Sequence, residues 1–533
     1  MTVAEYIAER LFSEGVRYVF GVPGGASIPL IEAIRQAGIA FVLTAEERSA
    51  GFMADVTARI TGIPGVCHST FGPGATNMST GVGCALLDRS PLLALTSEMP
   101  DDWIDRTTQM NINHQALFKP VTKATFRLSP RNVQSVLPRA LSICNEEYPG
   151  PVHLGIPSDI AGNQVSSDVK SQEVRRQQIP ENNHDITEIK NLLKSSKNPV
   201  IAIGLTAARL CNSRQVNTLL TGFQVPVLLT PMAKGLIDEE HPCYAGVLSH
   251  ALSDYLEDII SQADLVIGLG YDPVEYNYES WMPDVPLIHF DTVLPDLPRS
   301  RHVYSFVGDP TDWFAILSEL KLTSGIISSG LLAEVREEMD SVFRGFTSGF
   351  GPVTVMKVLG EMLPRDTIVT VDVGSHLHLA GQYWKTHGFQ NLIMTNGWSS
   401  MGFGLPAAIA AKLNKPSSTV VCLTGDGGFL MSAGEVLTAR RCLASIIIVV
   451  FSDGELNLIK LKQTWKGLQP YGIHISSGDL FGSECFLGAK VFNATSETTL
   501  RDAVMNALIL DETVIINAII DPEDYKWLVV KQK

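Results

Sequence analysis

Two acids in the C-terminal half stand where chemistry is possible. Gly425-Asp426-Gly427-Gly428 follows the apolar run "STVVCLT", and Asp453 follows the next run, "SIIIVVF". Glycines let the backbone turn sharply and come close to a ligand. Between the runs, residues 428–442 have helical character, so both acids end strands at one sheet edge. Two carboxylates in a shielded place need a positive partner. A hard dication with about six oxygen ligands fits: two side chains, a backbone carbonyl, phosphate oxygens and water. The competing reading is a pair of turn acids, because Asp is common in turns.

The elements that must position these acids recur along the chain. Short Val- and Ile-rich runs alternate with helix-length segments, as in "GVRYVFGVP", "GVCHSTFGPG", "ADLVIGLGYDP" and "TIVTVDVGSH". Strands apolar throughout imply parallel sheets covered on both faces. Three α/β units of doubly wound parallel sheet are expected, over residues 1–165, 186–325 and 350–533. The polar stretch "NQVSSDVKSQEVRRQQIPENNHD" reads as the first linker. Ligands of such sheets sit where strands end in glycine-rich turns.

Composition narrows the function. A net charge of -15 disfavours nucleic acid and anionic membranes. No run reaches the roughly 18 apolar residues of a membrane span, and "MTVAEYIAERLF" has no signal-peptide pattern. The cysteines are scattered singly, with no C-x-x-C, as expected of free thiols in a reducing cytoplasm.

The Gly-Asp-Gly turn, its spacing to Asp453 and the flanking apolar runs resemble the cofactor motif of thiamine-diphosphate enzymes. Nearly the whole chain resembles their acetolactate synthase, pyruvate oxidase and benzoylformate decarboxylase group. The motifs are nearest the flavin-free, catabolic acetolactate synthases. The resemblance implies that Asp426, Asp453 and the carbonyl of Glu455 hold Mg²⁺, with Gly425, Gly427 and Gly428 against the diphosphate. Most of the group has an amide where this chain has Asp453. A second carboxylate adds negative charge beside the diphosphate, which the dication must offset.

The same resemblance implies further site residues. In "TAEERSAGFMADVTARITG" it makes Glu47 the acid that activates the cofactor's pyrimidine, shielded from solvent. Glu46 stands where the family often has His, and Arg48 where it often has Gln. "FGPGATN" implies Pro73 and Asn77 against the pyrimidine, and "VDVGSH" implies Gly374, Ser375 and His376 against the diphosphate. "NGWSSMGFGLPAA" implies Met401 as the apolar prop under the cofactor, and "GVPGGASIPLIEAI" a glycine turn lining the substrate cavity. His68 and Gln109 are candidates for handling protons, with His114 as a rival to Gln109. For His68 the alternative is a satisfied core residue, and for Met401 it is core filling.

In the middle unit, "IAIGLTAARL" lacks the glycines of G-x-G-x-x-G, and "GVLSHAL" replaces a glycine-rich segment of flavin-bearing relatives. A structural unit without FAD is expected. The implied activity is decarboxylation of a 2-oxo acid, pyruvate first, with transfer of the remaining fragment to a second carbonyl. The alternatives are a simple 2-oxo acid decarboxylase, an acyl transferase to phosphate of the sulfoacetaldehyde acetyltransferase type, a flavin oxidase and a non-catalytic binding protein. A cytoplasmic homodimer or homotetramer is implied, with Glu47 of one chain serving a cofactor held by the other.

Overall fold

Val and Ile favour the pleated, half-buried surface of a strand, and the apolar runs build three sheets. The computed structural model describes residues 1–166, 184–297, 302–345, 349–388, 390–475 and 480–528. The stretch read as the first linker falls largely outside these, at residues 167–183. The first sheet contains β1 (Tyr18–Val22), β2 (Ala40–Leu43), β3 (Gly65–Ser69), β4 (Leu92–Glu98), β5 (Ala124–Arg127) and β6 (Pro151–Pro157). Its order is β2-β1-β3-β4-β6-β5, all parallel. The second contains β7 (Pro199–Ile203), β8 (Val227–Leu229), β9 (Tyr244–Val247), β10 (Leu265–Leu269), β11 (Leu287–Asp291) and β12 (Val303–Val307), ordered β12-β11-β10-β7-β8-β9. The third contains β13 (Ile368–Val371), β14 (Leu392–Ile393), β15 (Val420–Gly425), β16 (Ile447–Ser452), β17 (Cys485–Phe486), β18 (Ala489–Ala494) and β19 (Val514–Ile519). Its order is β14-β13-β15-β16-β19-β18-β17, with only the β17–β18 pairing antiparallel. With helices between the strands, these are three doubly wound α/β units.

The strands legible as apolar runs are the central ones; every residue of β4, β6 and β10 is buried. Strands at a sheet edge, or next to a two-residue edge strand as β18 is to β17, are less plain in sequence. β5 is half-buried along its length, and β18 alternates buried and open positions. An edge strand needs no continuous apolar run, because one side has no neighbour to cover it.

Two of the contacts between the first unit and the third bear most on the site. Helix Glu47–Thr61 meets helix Pro73–Leu87 backbone to backbone: a Cβ on Gly51 would lie 2.6 Å from Gly81 Cα. The outer face of the first of these helices packs on helix Gly404–Asn414, in one apolar cluster that includes Phe52, Met53, Phe403 and Ile409. The second contact is polar. Arg59 donates from Nη2 to Asp55 at 2.6 Å and to Asp88 at 2.5 Å, and from Nη1 to the Met394 carbonyl at 2.7 Å. Asp88 also accepts the Gly397 N–H at 3.0 Å. Both carboxylates are fully buried.

Removing one partner of a buried ion pair strands the other charge, at a cost of about 3–5 kcal/mol. Arg59→Met is therefore expected to lower stability by roughly that amount, measured by denaturant unfolding of the full chain. An unfolding curve matching wild type would show that the network does not hold the two units together.

Candidate cofactor site

The site begins with strand register. In the third sheet Val371 of β13 pairs with Leu423 of β15, and Gly425 of β15 pairs with Phe451 of β16. Residues 372–376, 425–428 and 452–455 therefore leave the sheet side by side at the C-terminal edge. The strand order reverses between β13 and β15, where parallel α/β sheets open a crevice.

Asp426 is buried at this edge. Its Oδ1 accepts the Gly427 N–H at 2.8 Å, and its Oδ2 accepts those of Gly454 at 2.7 Å and Asp453 at 3.2 Å. These bonds hold the 425–427 and 453–454 turns together. Burial raises the Asp426 pKa despite them. Asp453 is lifted further, to about 7, by burial and then by the charge of Asp426. Two carboxylates that disfavour each other's ionisation are what a dication between them relieves. The Glu455 carboxylate pairs with Lys460 and lies 3.3 Å from His474, and its carbonyl accepts the Asn457 N–H at 2.9 Å.

The diphosphate-side residues form a lined edge. Ser375 Oγ, His376 Nε2 and Asn457 Oδ1 are buried polar atoms with no hydrogen-bond partner among the described residues. Buried polar groups need partners, and phosphate oxygens with their associated protons and water supply them. His376 stacks on Phe451 with centroids 5.5 Å apart, and burial lowers its pKa to about 3. It is therefore a neutral ring at this edge. A Cβ on Gly425 would sit 3.3 Å from that ring, and one on Gly374 2.7 Å from it. A Cβ on Gly427 would be 3.2 Å from Met401 Cε, so the predicted prop lies directly over the turn. Gly428 is glycine for another reason: a Cβ there would meet Asp372 Oδ2 at 2.6 Å.

Asp372 was not singled out from the sequence, although it lies in the quoted "VDVGSH". Fully buried, it accepts the N–H groups of Val373 at 2.7 Å and Gly402 at 2.9 Å, and the Thr424 hydroxyl at 3.1 Å. One carboxylate thus ties the 372–376, 401–402 and 424–428 segments together. Burial raises its pKa to about 6. Its spacing carries no signal, since it acts on loops far apart in sequence.

In the first unit Glu47 opens helix Glu47–Thr61 and is only 7% exposed. Asn77 Nδ2 donates to Glu47 Oε2 at 3.1 Å. A Cβ on Gly74 would come 3.1 Å from Glu47 Oε1, so the turn begun by Pro73 closes on the acid. The helix start is held from the third unit: Glu435, fully buried, accepts the Ala45 and Glu46 N–H groups at 3.0 and 3.3 Å. Glu46 pairs with Arg48 at 2.5 Å, and Arg48 donates to the Met431 carbonyl at 2.6 Å. These two residues, which depart from the resemblance, brace the entry to the helix.

His68 is fully buried on β3, its Nε2 2.7 Å from Ser27 Oγ of the glycine turn. Burial lowers its pKa to about 4, so it is neutral there. Gln109 lies exposed in the turn before His114. His114 is buried; its Nε2 accepts the Gly72 N–H at 3.2 Å and its Nδ1 lies 2.9 Å from Thr96 Oγ1. His114 thus holds the loop that leads into Pro73.

The fold and this pair of edges define a class. The family model for the N-terminal TPP binding domain of thiamine pyrophosphate enzymes matches residues 1–117, that for the central domain matches 186–320, and that for the C-terminal TPP binding domain matches 372–518. The chain belongs to the thiamine pyrophosphate enzymes. Within that family it is similar to acetolactate synthases. It is 29% identical to the probable acetolactate synthase large subunit of Methanocaldococcus jannaschii, over 98% of this chain and 93% of that protein. It is 28% identical to the acetolactate synthase of Bacillus subtilis, over 98% and 93%. The catabolic acetolactate synthase of Raoultella terrigena is 26% identical, over 98% and 95%.

Two outcomes follow from the edge. Asp453→Asn removes a carboxylate from the edge expected to take the diphosphate, so thiamine diphosphate binding at neutral pH is expected to hold or tighten, measured by cofactor titration with Mg²⁺. Complete loss of binding would contradict this role. Asp372→Ala frees three segments at once and is expected to weaken cofactor binding by about 10–100-fold, as loss of an outer-sphere partner does.

Proposed function

We propose that the protein decarboxylates pyruvate and joins the remaining two-carbon fragment to a second pyruvate, giving 2-acetolactate. The observation that carries the reading is the buried Glu47–Asn77 pair, in a chain whose third sheet edge presents Asp426 and Asp453. The similarity to acetolactate synthases over nearly the whole chain supports the choice of substrate.

Thiamine diphosphate, when bound, accepts the electron pair released as CO₂ leaves a 2-oxo acid. Mg²⁺ is proposed on Asp426, Asp453 and the Glu455 carbonyl. Ser375, His376 and the turns at Gly374, Gly425 and Gly427 take the diphosphate, and Met401 supports the cofactor from below. Glu47 presents a shielded carboxyl to the pyrimidine, with Asn77 fixing its orientation and Pro73 and Gly74 closing the turn around it. Neutral His68, through Ser27, shapes the substrate side, and Gln109 is the exposed polar residue of the turn before His114. No FAD is proposed: the ring of His250 is fully buried and occupies the place of a Cβ on Gly381, where a glycine-rich segment would leave room.

A homodimer or homotetramer is proposed, with Glu47 of one chain serving the cofactor of another. Its support is the exposed apolar surface beside the cofactor edge, Leu430 and Met431 at 45% and 46%, and Trp103 at 46% in the first unit. A cytoplasmic setting is proposed from the free cysteines, six of them buried. Among the described residues no helix is long and apolar enough to cross a membrane.

Purified protein with thiamine diphosphate, Mg²⁺ and pyruvate is expected to yield 2-acetolactate and CO₂. Acetaldehyde without acetolactate would replace the reading by a simple decarboxylase, and phosphate-dependent acetyl phosphate by an acyl transferase. Glu47→Gln is expected to lower turnover by about 10²–10⁴-fold while thiamine diphosphate still binds. Full turnover in that variant would remove Glu47 from its role.

A further inference from the structure

A cavity of about 380 Å³ opens at the seam between the second and third units, away from the cofactor edge. That volume lies within the range of small-molecule pockets. Its apolar wall comes from Met339 and Phe343 of helix Leu331–Gly345, Met356 of helix Pro352–Met362, and Tyr383 and Trp384. Phe343 and Tyr383 meet edge to face with centroids 4.8 Å apart.

The remaining wall is polar and unsatisfied. Tyr244, Thr367 and Gln382 line the cavity and are only 8%, 4% and 9% exposed. The Tyr244 hydroxyl, the Thr367 hydroxyl and Gln382 Nε2 have no hydrogen-bond partner among the described residues. Gln382 Oε1 accepts the Val247 N–H at 2.8 Å, which fixes the free end of that amide as a donor. Both hydroxyls can donate as well. Three donors buried without acceptors are costly to leave so.

Charge at the cavity favours an anion. Arg336 donates to the carbonyls of His241 and Glu239, each at 3.1 Å, and has no carboxylate partner among the described residues. Lys357 and Arg365 also line the cavity and are in no ion pair among the described residues. Of the lining acids, Glu240 pairs with Lys385, Glu361 with Arg501 and Glu239 with Lys234. Asp340 is the one lining carboxylate outside such a pair.

We propose that this cavity binds a small organic anion, a carboxylate on an aromatic or branched apolar body. The carboxylate takes the donors of Tyr244, Thr367 and Gln382 in the field of Arg336, and the body packs on Phe343, Met356 and Trp384. The site is separate from the cofactor edge. Both are touched by helix Ser375–Tyr383, but Ser375 and Gln382 stand seven residues apart, roughly 10 Å along its axis.

Calorimetric titration of the full-length holoenzyme with 3-phenylpropionate and 4-methylpentanoate tests this, with 3-phenylpropanamide as the uncharged control. Saturable binding of a carboxylate is expected, with the amide weaker by about tenfold or more, as loss of a charge-assisted contact gives. Arg336→Met is expected to weaken binding by a similar factor. Gly360→Phe fills the cavity: Gly360 lines it, is helical, and a Cβ there meets nothing within 4 Å. That variant is expected to abolish binding while its melting temperature and pyruvate turnover stay at wild-type values. Absence of binding by both carboxylates, an amide as tight as the acid, or binding that survives Gly360→Phe would each overturn the proposal.

Discussion

A guanidinium between two buried carboxylates joins the first unit to the third. Arg59, Asp55 and Asp88 belong to the first unit, yet the network closes through the Met394 carbonyl and the Gly397 N–H of the third, and Cys84 Sγ beside Asp88 lies 3.3 Å from Thr395 Oγ1. Burying two acids and one base is unfavourable unless every remaining donor and acceptor is met. The loop at 394–397 supplies those partners in one arrangement. Six residues on, that loop becomes Met401 and Gly402. The same network therefore fixes helix Glu47–Thr61, helix Pro73–Leu87 and the segment carrying the apolar prop. Each proposed cofactor contact of the first unit inherits its position from that buried cluster.

Carboxylates do similar structural work elsewhere in the chain. Asp426, Asp372 and Glu435 each accept backbone N–H groups from loops distant in sequence. The anions thus hold turns that have no side-chain packing of their own. Burial alone would favour their protonated forms, and the N–H groups oppose that. Asp453 is the exception, with one N–H from Glu455 and a neighbouring acid raising its pKa. Of Asp372, Asp426 and Asp453 at this edge it accepts the fewest backbone N–H groups, and so has most to gain from a cation.

Much of this architecture was legible in the sequence. Central parallel strands declare themselves because both faces are covered, and glycine turns after β3 and β15 mark the sheet edges that bear ligands. Glu47 and Asp426 could be located from these signals together with the family resemblance. Strands at or beside a sheet edge, such as β5 and β18, could not, since half-burial leaves a mixed pattern. Asp372, Glu435 and Arg59 escaped for a different reason. Their roles depend on partners tens to hundreds of residues away, and a linear pattern holds no record of such meetings. Gln109, chosen from its position in the family resemblance, stands exposed in the turn before His114.

The glycine contact between Gly51 and Gly81 has a bearing on how the catalytic repertoire of this scaffold can change. Where the two backbones touch, at Gly51 and Gly81, no side chain lies between the helices to be repacked. The acid at one helix start and the amide near the other move as one body or not at all. Variation in what the proposed pocket accepts would then come from loop segments outside these two helices, at residues 22–27 and 100–112. A library aimed at new acceptor carbonyls belongs on those loops, and the helices beneath them serve as its fixed frame.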